Sequence, residues 1–265
     1  MNSTESLWRS PSGGARRSSG LALILFSLSG AGLLASPRGF AEEPARIVCP
    51  EIQPYCYRNG AEPLGFVYEL GEEILRRLGR NTSIEIQPLA RAQHSLREGK
   101  GTIALWLGRI PEREKSVTWI VPISNDAFHV FTLKGKPDAS TLERAKELKV
   151  LAATISGANY VAAKRLELGH LETTASEEAN GRKLLAGRVD GWISTRAVAG
   201  SFALRHKLGP DQIVQGVKLA DFTAYIVASP DVDEKTVADW RKAYESTVRD
   251  GFAKRVMNKY GIPER

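Results

Sequence analysis

Two residue periodicities alternate along this chain, and that alternation is the tightest constraint on its fold. Phe66 to Leu78 places apolar residues at 66, 67, 70, 74, 75 and 78, a helical stripe that Gly79 stops. Strand patterns flank it, Arg46–Cys49 before and the alternating Ser83–Gln87 after. Ala90–Glu98 reads as a short helix closed by Gly99, Thr102–Leu107 as a buried strand, and Ala127–Leu133 as another. Beyond Gly135-Lys-Pro-Asp138 the pattern resumes. Ser140 with Glu143 forms a capping box for a short helix. Lys149–Ala153 is a strand, and Ser156-Gly157 opens a helix to about Leu168. Thr174 with Glu177 forms a second capping box, for a helix reaching Leu185-Ala-Gly187. Val189–Ile193, Gln212–Val217 and Thr223–Ala228 are strand patterns, with a helix over Thr195–His206. Asp233 caps a long helix through Val248, and Phe252–Tyr260 makes the last one. Strands spaced by helices predict an α/β fold with mostly parallel pairing.

Two breaks, near 134–138 and 218–222, bracket a block with its own strand-helix alternation. The segment after 222 is too small to stand alone, so it is expected to pack back on the first block. The predicted domains are 42–133 plus 222–265 as one discontinuous lobe and 137–218 as a second. Hinges are expected near 134–136 and 219–221. Two crossings make a hinge, and a cleft between lobes is where a ligand closes such a protein.

Residues 1–41 read as a secretory signal. A basic stretch ends at Arg16-Arg17, the apolar run Leu21–Ala35 follows, and Gly39-Phe40-Ala41 offers small residues for cleavage. That run is short for spanning ~30 Å of hydrocarbon. The arginine pair lacks the bulky residue of a twin-arginine signal soon after it, so ordinary export to the periplasm is expected. Four arginines and one acid lie in this segment, so the chain's formal charge of +7 falls to +4 without it. No basic stripe with interleaved aromatics appears, which argues against nucleic acid. Cys49 and Cys56 form either a disulfide, which an oxidising compartment permits, or two buried thiols. The four histidines (His94, His129, His170, His206) are scattered, and no metal or other cofactor is expected.

The loop Gly108-Arg-Ile-Pro-Glu-Arg-Glu-Lys115 carries Arg109 and Arg113 at the end of a strand. A guanidinium held there is a natural carboxylate clamp, because its planar fork donates two parallel hydrogen bonds. The alternative is a surface arginine paired with Glu112 or Glu114.

Several segments together resemble the bacterial family 3 solute-binding proteins, of the type II periplasmic binding fold. Gly65-Phe66 with Leu70, Ile74 and Leu75 is similar to the family's Gly-Phe-Asp-x-(Asp/Glu)-Leu start. Pro88-Leu-Ala-Arg-Ala92 resembles a Pro-Trp-x-Arg-Ala motif, and Arg109–Lys115 the family's Thr-x-x-Glu-Arg loop, with Pro122 in the expected place. Ser156-Gly157 resembles the Ser-Gly turn of the second lobe, and Gly187-Arg-Val-Asp-Gly191 the family's Gly-(Arg/Lys)-x-Asp-(Ala/Gly). The likeness spans about residues 46–261. It implies two lobes, each a mostly parallel sheet flanked by helices, with a ligand between them. It implies that Arg113 holds a ligand carboxylate. Ser156 and Gly157 either offer free amides to an anion or simply cap a helix. Tyr55 and Tyr57 either cover the ligand or pack a tethered loop. Trp106 either stacks on the ligand or fills the core, and Arg91 either reaches the cleft or pairs with an acid.

The departures concern the ligand. Trp106 and Gly108 stand where amino acid binders often have Gly-x-Thr. Thr195 stands where such binders place an Asp for the ligand ammonium, and a threonine supplies no negative charge. A buried unpaired ammonium is costly. Either another acid, such as Glu51 or Asp221, takes that role, or the ligand is not an ordinary α-amino acid.

The resemblance implies a monomeric receptor that delivers a small carboxylate-bearing solute to the membrane permease of an ABC-type transporter. A dehydratase on the same fold, acting on prephenate-like substrates, would need a poised acid or base, and Glu51 and Asp190 are the only candidates. A sensor that reports its ligand to a membrane protein is a third reading.

Overall fold

The computed structural model describes residues 46–262. The expected signal segment and its cleavage point lie outside them. In chain order the elements are β1 (Arg46–Pro50), a hairpin of β2 (Tyr57–Asn59) and β3 (Glu62–Leu64), α1 (Phe66–Arg77), β4 (Ile84–Gln87), α2 (Leu89–Glu98), β5 (Thr102–Gly108) and β6 (Thr118–Leu133). Then come α3 (Leu142–Glu147), β7 (Val150–Thr154), α4 (Ala158–Arg165), β8 (His170–Thr174), α5 (Glu177–Leu185), β9 (Gly191–Thr195), α6 (Arg196–Arg205), β10 (Ile213–Ala228), α7 (Glu234–Arg249) and α8 (Phe252–Lys259). Among the described residues no helix is long and apolar enough to cross a membrane.

Eight strands form one hydrogen-bonded series in the order β4-β1-β5-β10-β6-β9-β7-β8. Each half repeats one plan: its first strand pairs in parallel with its second and third, and a long strand lies antiparallel against the third. The 16-residue strands β6 and β10 belong to both halves and pair from Leu133↔Ile213 to Thr118↔Ala228. The sequence pattern shows only Ala127–Leu133 of β6 and breaks β10 into Gln212–Val217 and Thr223–Ala228, and the structure makes each one continuous strand. Register shifts at 215–220 and 224–227 absorb residues that interrupt the alternation, such as Gly216 and Lys218. Residues 219–221, expected as a crossing loop, lie inside β10. Residues 134–136, expected as the other crossing, form the turn beyond β6, whose residues 128–131 already pair with β9.

Local chemistry accounts for most boundaries. On α1 the residues Phe66, Val67, Leu70, Ile74 and Leu75 are buried, the i, i+4, i+8 stripe of a core-facing helix. β1 sends Ile47 and Cys49 toward the α1 side and Val48 toward Ala92 and Leu96 of α2. A parallel sheet covered on both faces needs such continuous apolar strands. Asp233 caps α7 by accepting from the Thr236 amide at 2.8 Å. Both expected capping boxes are displaced. Ser140 bonds Asp138 instead, and Thr141 accepts from the Arg144 amide. Ser176, not Thr174, caps α5 by accepting from Ala179, which makes Glu177 the first helical residue. The strand β8 lacks a sequence signal because it is a half-exposed edge carrying His170 and Glu172.

Cys49 and Cys56 are bonded to each other, with Cα atoms 6.3 Å apart. The closed loop carries Ile52 and Tyr55. Gly65 locks the same loop from outside: it sits at φ 126°, and a Cβ there would lie 2.3 Å from the Tyr55 carbonyl oxygen. Two outcomes follow. Gly65→Ala is expected to lower unfolding free energy by about 1–3 kcal/mol in urea titrations, through strain and backbone overlap. Replacing both cysteines by alanine is expected to lower it by about 2 kcal/mol or more, the chain-entropy value for so short a loop.

Candidate functional site

The carboxyl ends of β1, β5, β7 and β9 converge where the two halves of the sheet meet, the usual place for a ligand in an open α/β sheet. A cavity of about 50 Å³ lies there. Its wall includes Ile52 after β1, Trp106 and Gly108 from β5, Thr154 from β7, and Ser194 and Thr195 from β9. Phe128 of β6 and Phe222 of β10 complete it, stacked at a centroid distance of 4.3 Å. Tyr55, from the disulfide-closed loop, stacks on Trp106 at 3.9 Å. Its hydroxyl donates to Asp126 Oδ2 at 2.9 Å. Burial, with the Asp126 carboxylate beside it, pushes the Tyr55 phenol well above its ordinary pKa, so it remains a donor.

Arg113 lines this cavity from the 3₁₀ turn Pro111–Arg113. Its Nη1 donates to the Gly108 carbonyl and its Nη2 to the Ser156 carbonyl, each at 2.7 Å. Among the described residues no carboxylate forms an ion pair with it. Glu112, its neighbour, is held instead by Arg165, and Glu114 by Arg109. Loss of water around the Arg113 guanidinium pulls its pKa down to about 10, which leaves it charged at neutral pH. The surface-pairing alternative therefore does not describe Arg113. It does describe Arg109, whose fork grips Glu114 at 2.8 and 2.9 Å and lies against Trp119 and Tyr225.

The Ser156-Gly157 turn is built differently from the expectation. Ser156 takes φ 60° and turns its carbonyl, not its amide, toward Arg113. Gln93 Nε2 donates to the same carbonyl at 2.9 Å. The Gly157 amide is spent on the Thr154 carbonyl at 2.9 Å. Gly157 is the cap of α4, and a Cβ on it would lie 2.1 Å from Asn159 Oδ1. The turn thus seats Ala158 and Asn159, the first residues of α4, in the cavity wall.

Thr195 also lines the cavity, while its Oγ1 accepts from the Val198 amide and caps α6. Two other expected residues are not brought there. Arg91 is exposed on α2 and lines no part of the cavity. Glu51 lines an adjoining cavity of about 280 Å³, with Tyr57, Arg58, Glu178 and Arg205. Asp221, the other acid suggested for an ammonium, is exposed and paired with Lys218. Asp190 accepts from the Lys149 and Val150 amides and pins the start of β7. A wider open groove, about 1480 Å³, runs past Arg109, Asp126, His129 and Lys218, and in it Arg109 pairs with Glu114 and Lys218 with Asp221.

The acid that does line the cavity is Glu177, which the sequence pattern assigns to a backbone cap. Four donors surround its carboxylate. Thr154 Oγ1 at 2.7 Å and Asn159 Nδ2 at 3.1 Å meet Oε1. Trp192 Nε1 at 2.7 Å and Ser194 Oγ at 3.0 Å meet Oε2. Desolvation raises its pKa, and the hydroxyl, indole and amide donors pull the other way. Two adjacent acids, Glu177 and Glu178, open α5, and either suits a helix N-terminus. Glu178 stays outside with Arg182 and Arg205. Only the fold decides which of the two turns inward.

Comparison with known proteins places this geometry. No curated protein matches the chain. In solved structures the same fold recurs at low identity. An ancestral arginine-binding protein bound to arginine superposes with a TM-score of 0.73 at 17% identity, covering 81% of this chain and 96% of that one. A histidine kinase sensor domain similar to periplasmic binding proteins gives 0.73 at 16%, covering 83% and 96%. A putative L-cystine ABC transporter protein from Listeria monocytogenes gives 0.71 at 19%, covering 81% and 93%. Identities this low establish the two-lobed type II periplasmic binding fold and nothing finer. The family model of the bacterial extracellular solute-binding proteins, family 3, matches residues 47–263, and this chain belongs to that family.

Proposed function

We propose that the protein is an exported receptor that captures a small carboxylate-bearing solute in the cavity between the two halves of the sheet. The observation that carries this reading is Arg113: a desolvated guanidinium, lining a cavity, with no carboxylate pairing with it among the described residues. A charge stripped of water without a counter-charge is costly, and a carboxylate ligand offsets that cost with a bidentate pair. The start of α4 places Ala158 and Asn159 in the same wall. Tyr55, Trp106, Gly108, Gly157 and Thr195 shape the remaining wall.

Closure about a hinge is the proposed mechanism. The lobes correspond to the two halves of the sheet, and the hinge lies where β6 and β10 pass between them, near 124–127 and 220–223. Contacts already bridge the halves: Arg113 and Gln93 both reach the Ser156 carbonyl, and Arg165 pairs with Glu112 at 2.7 Å. A ligand touching both halves favours the closed arrangement by its contacts there. The delivery of the solute to an ABC-type permease, the periplasmic location and the monomeric state belong to this same proposal. Binding rather than turnover is favoured because Glu177, the only acid lining the cavity among the described residues, has its oxygens occupied by four donors. General acid–base work needs a group free to exchange a proton with substrate.

A thermal-shift screen of amino acids and other small carboxylates tests the reading, since a ligand that binds only the folded form raises the melting temperature. At least one carboxylate is expected to shift the wild-type protein, and Arg113→Ala is expected to bind it at least ~100-fold more weakly, as for loss of one partner of a desolvated charge pair. An equal shift in both proteins would remove Arg113 from the site.

A further inference from the structure

Among the described residues the cavity is lined by one basic and one acidic side chain, Arg113 and Glu177. Among the described residues neither forms an ion pair with any other side chain, and they do not pair with each other. Arg113 clusters with Gly108 and Ala158: a Cβ built on Gly108 would sit 3.4 Å from the Ala158 Cβ and 3.8 Å from Arg113 Nη1. Glu177 clusters with Thr154, Asn159, Trp192 and Ser194, all neutral donors. With Glu177 ionised, the form its four donors favour, the space is flanked by opposite charges, each stabilised only by dipoles.

This arrangement discriminates between ligands. A plain carboxylate neutralises Arg113 but brings a second negative charge into a low-dielectric space that already holds one. A zwitterion neutralises both ends. The donors around Glu177 do not block that role. A hydroxyl that donates to a carboxylate keeps lone pairs free to accept. Ser194 Oγ, which donates to Glu177 at 3.0 Å, and Thr195 Oγ1 both stand in the cavity wall. An ammonium can donate to these oxygens while the Glu177 carboxylate behind Ser194 supplies the charge through the polarised Ser194 O–H bond.

Building on the reading of Arg113 above, we infer that Glu177 is the counter-charge for a cationic group of the ligand. The solute is then a zwitterion with a carboxylate and an amine, and its amine is neutralised from the start of α5 rather than from the end of β9. Thr195, the residue at that strand end, caps α6 and carries no charge.

The experiment pairs each standard amino acid with its des-amino carboxylate, for example L-alanine with propionate and L-glutamine with 4-carbamoylbutanoate. Binding is measured by calorimetry on wild type, Glu177→Gln and Arg113→Ala. Wild type is expected to bind at least one amino acid ~10-fold or more tightly than its des-amino partner, and Glu177→Gln to lose that preference. The double variant Glu177→Gln, Thr195→Asp is expected to regain it, because aspartate also caps a helix and restores a carboxylate at the cavity. If des-amino compounds bind wild type as well as the amino acids do, and Arg113→Ala loses both, the zwitterion inference is overturned while the carboxylate receptor stands. An unchanged preference in Glu177→Gln overturns the role of Glu177. Absence of binding by the whole panel overturns both readings. Should Glu177→Gln fail to fold, the wild-type comparison alone decides, since among the described residues Glu177 is the only carboxylate in the cavity wall.

Discussion

The antiparallel ladder between β6 and β10 is the constraint on which the rest of this structure depends. Two 16-residue strands pair along their whole length, so one end of the ladder completes the first half of the sheet and the other end the second. Neither half could otherwise cover the third strand of its parallel set. Because the same order repeats on both sides of the ladder, the carboxyl ends of β1, β5, β7 and β9 are brought to one place. The stacked pair Phe128 and Phe222, one from each long strand, lies there as part of the cavity wall. Register shifts lie on either side of the regular stretch 220–224 at the ladder's middle, where the two halves join.

The site is made of charges that, among the described residues, have hydrogen-bond partners but no ion pair. Elsewhere arginines and acids pair freely at the surface: Arg109 with Glu114, Arg165 with Glu112. Such exposed pairs contribute little to stability. Their effect here is one of selection, because they remove the neighbouring acids from Arg113 and leave its guanidinium facing the cavity. Glu177 is treated in the same way, held by neutral donors alone. A pair of desolvated charges costs folding stability and is retained most readily where a ligand offsets the cost.

Much of the architecture was legible in the chain. Helical stripes such as Phe66–Leu78, the buried run Thr102–Leu107 and the cap at Asp233 are local signals, set by burial period and by backbone groups a few residues away. The Arg113 loop was legible for the same reason, since Gly108 and Pro111 force a turn at a strand end. The edge strand β8 and the hairpin β2–β3 were not, because half-exposed strands bury too few side chains to impose a pattern. The unity of β10 was hidden by Gly216 and Lys218, which register shifts accommodate once a partner strand is present, and by Asp221, which pairs in regular register with Ala127.

Glu177 marks the boundary between what each level decides. In one dimension it is indistinguishable from Glu178, since both are acids at a helix start and both suit the dipole there. Its inward turn requires Thr154, Asn159, Trp192 and Ser194 to converge from β7, α4 and β9, separations of 15 to 23 residues. The sequence by itself determined the α/β class, the helix faces and a cation at the end of β5, because each is fixed by near neighbours. Only the tertiary structure decided which acid faces that cation's cavity and which carbonyls it grips, because those contacts exist only after distant strands are in register.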